Sequence, residues 1–154
     1  VSVFFLDSSA LVKRYLVEPG TAWIVALAAP ALGHSLLVAE VTRIEVIAAL
    51  AARARAGSIT TGERDTAVRL LTYHIVSQYR SIPLDAAILD QAAQLPLHHR
   101  LRGYDAIQLA TALVANTRLT AAAAPALTFV AADGDLLAVA QAEGLPTENP
   151  NAYP

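Results

Sequence analysis

The residue types able to do chemistry in this 154-residue chain reduce to acids. There is no cysteine, which excludes disulfides, thiolate metal sites and a Cys nucleophile. His34 and His74 stand alone, and His98-His99 after Pro96 reads as an exposed loop rather than a zinc site. Ser8 and Ser9 sit in no GxSxG elbow and have no nearby base pattern, which argues against a serine hydrolase. No Gly-rich phosphate loop is present. Four acids stand out instead: Asp7 closing VFFLD, Glu45 in VTRIEVIAAL, Asp105 in RGYDAIQLATAL and Asp133 in FVAADGDLL. Three or four carboxylates without His or Cys suit a hard cation with oxygen ligands, Mg²⁺ or Mn²⁺. The chemistry such a site serves is phosphodiester hydrolysis.

Each acid also has an ordinary structural explanation. Asp7-Ser8-Ser9 is good helix N-cap chemistry. Glu45 could pair with Arg43, Arg102 or Arg14. Glu40 lies about 140° around a helix from Glu45 and sits in the first turn, where acids favour the helix dipole; Glu45 is the better candidate. Asp105 lies in a first helical turn as well. Asp133 and Asp135 frame Gly134, one as a cap for the following helix and one free for chemistry, with Asp133 nearer the strand end. A phosphatase-type DxD is a further reading, but the first strand delivers DSS, leaving Asp7 without a second acid.

The elements must bring these acids together. Short apolar strands are expected over 3–6, 35–38, 82–84 and 127–130. Helical patterns separate them: 9–17, 21–29, 40–56, 61–79, 85–95 ended by Pro96, 104–116 and 135–143. The inward stripe of the 40–56 helix is read as Val41, Ile44, Ala48 and Ala52, with Glu45 at its edge. In the 61–79 helix Ala67, Leu70, Leu71 and Ile75 share a face. In the 104–116 helix the stripe is Ala106, Leu109, Ala110 and Leu113, flanked by Asp105. Residues 116–125 read as a loop and 148–154 as a tail. Strands alternating with helices predict an α/β layer fold with a mainly parallel sheet, in one domain spanning 1–154. Ligands of such sheets sit beyond the carboxyl ends of the strands. Asp7 and Asp133 both follow strands, so the two would reach the same edge.

Composition narrows the setting. Hydrophobic residues make up 55% and charged residues 16%, which excludes a disordered chain. No stretch reads as a membrane span or a signal peptide, so a cytoplasmic protein without a membrane partner is expected. The formal net charge of −2 does not advertise nucleic-acid binding over the whole surface.

These segments resemble the PIN domain, and specifically the VapC-type toxin ribonucleases of bacterial toxin–antitoxin pairs. FFLDSSALVKRYLVEPG is similar to the family's opening, with its Asp, a Ser two positions on and a Glu-Pro-Gly turn. VTRIEVIAALAARARAG resembles the helix of the second acid, LRGYDAIQLATAL the third-acid motif, and FVAADGDLLAVAQAEGL the fourth. The chain departs from the family at Ala131, where many members have Thr or Ser. The resemblance implies a PIN-like three-layer α/β/α sandwich and an endoribonuclease. One or two Mg²⁺ or Mn²⁺ ions would be held by Asp7, Glu45, Asp105 and Asp133, and RNA phosphodiesters hydrolysed by metal-activated water, leaving 5′-phosphate and 3′-hydroxyl ends. It also implies a homodimer and a VapB-type antitoxin. Ser9 would orient a carboxylate or a water, Asp135 would be a secondary site residue, and Arg14 and Arg102 would be RNA or charge partners. Two alternatives remain: a PIN nuclease of RNA processing without an antitoxin, and a non-catalytic PIN-like binding scaffold.

Overall fold

In the computed structural model, which describes residues 1–154, five strands form one parallel sheet: β1 (Val3–Leu6), β2 (Ser35–Ala39), β3 (Tyr79–Ile82), β4 (Leu127–Val130) and β5 (Thr147–Glu148). Their order is β3-β2-β1-β4-β5, and all four pairings are parallel. Central β1 pairs Val3 with Ser35 on one side and with Leu127 on the other. The chain leaves β1 toward one half of the sheet and later returns on the other side of it. The end of β1 is therefore the point where an open parallel sheet forms its ligand crevice.

Seven helices cover the sheet: α1 (Ser8–Leu11), α2 (Thr21–Leu27), α3 (Thr42–Arg55), α4 (Thr61–Ser77), α5 (Ala86–His98), α6 (Gly103–Ala121) and α7 (Gly134–Ala142). Side chains alternate across each buried strand. Phe5, Leu37 and Phe129 face a core completed by Ile88, Leu95, Leu109, Leu113 and Leu136 of α5, α6 and α7. Leu6, Val38 and Val130 face a second core with Leu11, Ile24, Val46, Leu50 and Leu71 of α1 to α4. Two apolar layers on opposite faces make the expected α/β/α sandwich. None of the helices is long and apolar enough to cross a membrane.

Several expected elements shift. The third strand runs over Tyr79–Ile82 rather than 82–84. Pro83 has no N–H to donate to the ladder, so pairing ends before it. The first helix turns to 3₁₀ at Val12–Arg14 instead of running to 17. Pro96 does not stop α5, which continues to His98 while the His99 N–H donates to the Leu95 carbonyl at 2.9 Å. The stretch after Asn116 is helical to Ala121, because the Thr117 and Thr120 hydroxyls bond back to the Leu113 and Asn116 carbonyls and need no turn. The expected tail contributes β5, an edge strand of two residues too short to leave a periodic signal.

The inward stripe of α3 also differs. Thr42, Val46 and Leu50 are buried, whereas Ile44, Ala48 and Ala52 are exposed. Alanine leaves the stripe ambiguous, since it fits either face of a helix. In α4 Leu71 and His74 are buried and Leu70 is exposed.

Candidate active site

Asp7 stands one residue beyond β1. Its backbone N–H continues the ladder to the Val130 carbonyl at 2.9 Å, so the carboxylate is placed at the sheet's carboxyl edge. Only 3% of the residue is exposed. Oδ2 accepts the Ser9 N–H at 3.0 Å and the Ser9 hydroxyl at 2.5 Å, which caps α1. Oδ1 is buried with no partner. Burial pushes the carboxyl up from 3.8 to about 6, opposed by the two Ser9 bonds and assisted by the charges of Glu45 and Asp105. Asp7 is thus a cap through one oxygen and a candidate ligand through the other.

Glu45, half-buried on α3, makes no salt bridge with Arg43, Arg102 or Arg14. Its Oε2 accepts the Ser8 hydroxyl at 2.9 Å and its Oε1 accepts Gln108 Nε2 at 2.8 Å. The same amide donates to Thr42 Oγ1 at 2.9 Å, and Gln108 Oε1 is buried without a partner. Glu40 is otherwise engaged, accepting the Leu84 N–H at 2.7 Å.

Asp105 sits in the first turn of α6. Partial burial raises its pKa, the charge of Asp133 adds to that, and Arg102 opposes it. Asp133 is itself the N-cap of α7, its Oδ1 accepting the N–H groups of Asp135 at 3.0 Å and Leu136 at 3.2 Å. Hence Asp135 is not the cap, and the expected division of labour between the two acids does not apply. Ser9 ties the halves of the site together, since its Oγ also accepts the Ala132 N–H at 2.9 Å from the β4–α7 turn.

The acids therefore form a chain of mutual influence, with Glu45 and Asp105 acting on Asp7 and Asp133 acting on Asp105. No three acidic or histidine side chains close into a cage around a cation. The all-oxygen donor set and the orphaned Asp7 Oδ1 suit a hard divalent cation such as Mg²⁺.

Beside the acids lies an open cleft of roughly 780 Å³ that includes His99, Arg100, Leu101 and Arg102 along with Asp105, Asp133 and Asp135. Arg102 thus reaches the site. Arg14 does not join it: its guanidinium donates to the Tyr79 hydroxyl at 2.6 Å and lies over that ring, in a network completed by Tyr15 and His74. Sequence reasoning missed Ser8, Thr42 and Gln108. The available signal was a lone amide among the core positions of AIQLATAL, one turn after Asp105.

One all-parallel sheet between two helical layers, with Asp7 buried just beyond the carboxyl end of its central strand, defines a three-layer α/β protein. The PIN-domain family model matches residues 4–142, and the chain belongs to that family, whose members are generally nucleases. No curated protein matches the chain. Among solved structures, it resembles FitAcB from Neisseria gonorrhoeae with a TM-score of 0.65 and 16% identity, covering 96% of this chain and 97% of that one. It also resembles VapBC2 from Rickettsia felis, bound to a DNA fragment from their promoter, with a TM-score of 0.65, 12% identity and coverage of 96% and 98%. A toxin–antitoxin complex from Klebsiella pneumoniae matches with a TM-score of 0.60, 17% identity and coverage of 96% and 97%.

Proposed function

We propose that this protein is a Mg²⁺- or Mn²⁺-dependent endoribonuclease and the toxin of a VapBC-type pair, with Asp7, Glu45, Asp105 and Asp133 as its metal-holding residues. The observation that carries the reading is Asp7: a buried carboxylate with one vacant oxygen, pushed up to about 6 amid two other acids. Such a group is costly in a folded protein unless a cation compensates it. A divalent cation, when bound, supplies charge neutralisation at the phosphate and acidifies water. The chain's own residues supply placement. Ser9 holds Asp7 and the β4–α7 turn together, and Ser8 and Gln108 hold both oxygens of Glu45. Asp133, capping through Oδ1, keeps Oδ2 free of the cap. The toxin assignment draws support from the structural neighbours, several of which are toxin–antitoxin complexes. A VapB-type antitoxin is accordingly the proposed protein partner.

The test is cleavage of single-stranded RNA by the purified protein with Mg²⁺, Mn²⁺ or chelator. Activity is expected with either ion, with none in chelator, and Asp105→Asn should lose at least two orders of magnitude while melting normally. Cleavage by Asp105→Asn at the wild-type rate would refute the site. Toxicity on expression that a co-expressed neighbouring antitoxin relieves separates a toxin from an RNA-processing nuclease.

A further inference from the structure

Asp133 is exposed, and its carboxylate bonds only to N–H groups of its own helix, those of Asp135 and Leu136. Where that carboxylate stands is therefore set by the backbone of the β4–α7 turn. Hydrogen bonds from two directions hold this turn. The Ala132 N–H donates to Ser9 Oγ at 2.9 Å, which ties it to the Asp7 side of the site. The others come from the end of the chain. The Ala131 N–H donates to the Glu148 carbonyl at 3.2 Å, and Asn151 Nδ2 donates to the Ala132 carbonyl at 3.4 Å.

β5 alone is a poor anchor, since it pairs through only two residues at the edge of the sheet. A terminal segment stays ordered only where it is tied down, and here the ties follow β5. Pro150 is buried and fills the space that a Cβ on Gly20 would need. Asn149 Oδ1 accepts the Asn151 N–H at 2.9 Å and closes the turn. The Tyr153 ring then lies flat on Trp23 of α2, with centroids 4.9 Å apart, and its hydroxyl donates to Glu148 Oε2 at 3.0 Å. A tail that only covered apolar surface would need Pro150 and the ring, but not the two bonds to the residues just before Asp133. A binding constellation must hold each group within about 0.5 Å of its productive place, and an exposed acid on a turn meets that demand only if the turn is braced. Resting on the metal-site reading above, we infer that residues 148–153 are a positioning strap for Asp133, closed by the stack of Tyr153 on Trp23.

The experiment compares the full chain with its Tyr153→Ala, Tyr153→Phe and Asn151→Ala variants by calorimetric Mn²⁺ titration, amide hydrogen exchange and thermal melting. Tyr153→Ala should bind Mn²⁺ about tenfold more weakly, the low end of the loss when an outer partner is removed. Asn151→Ala keeps the stack but loses one donor, and should lose about threefold. Tyr153→Phe keeps the ring and should bind as wild type does. The Ala132 N–H is the local reporter, because its partner is Ser9 and not the strap. In Tyr153→Ala it should exchange at least about tenfold faster while the amides of central β1 keep their wild-type protection. Gly57→Ala, strained at φ +78° between α3 and α4, is the control for lost stability and should leave both Mn²⁺ affinity and Ala132 exchange unchanged. A lower melting temperature in Tyr153→Ala, with Mn²⁺ affinity and Ala132 exchange at wild-type values, would make the strap a brace of the fold alone and overturn the inference. Equal acceleration in β1, or an equal loss of Mn²⁺ affinity in Gly57→Ala, overturns it too. If wild type binds Mn²⁺ and the strap variants match it, the metal reading stands without the strap. If wild type takes up no Mn²⁺, both fall.

Discussion

Asp7 concentrates the electrostatic cost of the site in one residue. Its carboxyl titrates near 6 in the folded protein against an ordinary 3.8. Above pH 6 it is charged both folded and unfolded, and the folded state carries the whole penalty. Below 3.8 it is neutral in both, and the penalty vanishes. The metal-free protein should therefore gain stability as pH falls from about 6 to about 4, by an amount on the order of 3 kcal/mol. Asp7→Asn keeps the cap, because Asn caps as well as Asp. The variant should melt higher than wild type at about pH 7.5 in chelator, and the difference should close near pH 4. Parallel melting curves across that range would show that the buried charge carries no such cost. Saturating Mn²⁺ should raise the melting temperature of wild type by several degrees and that of Asp7→Asn by much less.

Gln108 belongs to the same scale. It supplies the donor for Glu45 Oε1 and Thr42 Oγ1 from within the core. Gln108→Met preserves length and fills the space, but removes both donors. Loss of such an outer partner costs about 10–100-fold in metal affinity, and the stranded acceptors should cost about 1–3 kcal/mol in folding. Calorimetric Mn²⁺ titration and urea unfolding measure the two separately; unchanged Mn²⁺ affinity would remove Gln108 from the site. Of the residues that matter here, the acids were legible in the sequence because their types and spacing stood out against an apolar chain. Ser8, Thr42 and Gln108 were not, since a hydrogen bond across 63 positions of chain leaves no local pattern.

Among the elements, the end of the chain is tied back to its beginning. After β5, Pro150 packs on Gly20, Tyr153 stacks on Trp23 with ring centroids 4.9 Å apart, and Asn151 reaches the Ala132 carbonyl. Gly20 has φ +89°, and a Cβ there would lie 2.5 Å from the Pro150 carbonyl oxygen. Gly57 has φ +78° with nothing within 4 Å. Gly57→Ala should thus cost only left-handed backbone strain, about 1–2 kcal/mol. Gly20→Ala should cost about 1–3 kcal/mol more by displacing the strap. Urea unfolding of the pair checks the difference, and equal losses would mean that the strap yields freely. Strands 3–6 and 127–130 were readable because both neighbours bury them and every residue is apolar or β-prone. The edge strand β5 and the true start of β3 were not, because an edge needs only backbone pairing.

At the scale of the whole molecule, Ile44 of α3 and Leu70, Tyr73 and Val76 of α4 are exposed, Val76 at 85%. The three α4 positions fall within an arc of about 120°. Exposed apolar side chains of this kind often find a partner, and we propose a homodimer through α3 and α4. Light scattering at micromolar concentration should report twice the chain mass, and Tyr73→Glu/Val76→Glu should report one. A wild type that stays monomeric throughout that range would refute the dimer.

The sequence by itself determined the layer class, the candidate acids and the sheet edge that Asp7 reaches. Each of those follows from local alternation, capping chemistry or the polarity of a parallel strand. Only the tertiary structure decided which face of the alanine-rich α3 turns inward, and that Glu45 is held by a serine and an amide rather than an arginine. It also decided that Arg14 joins two tyrosines and a histidine while Arg102 lines the cleft beside Asp105 and Asp133. Alanine carries almost no facial preference, and an arginine several bonds long can satisfy its charge in any direction. Both kinds of residue take their roles from what the fold places beside them.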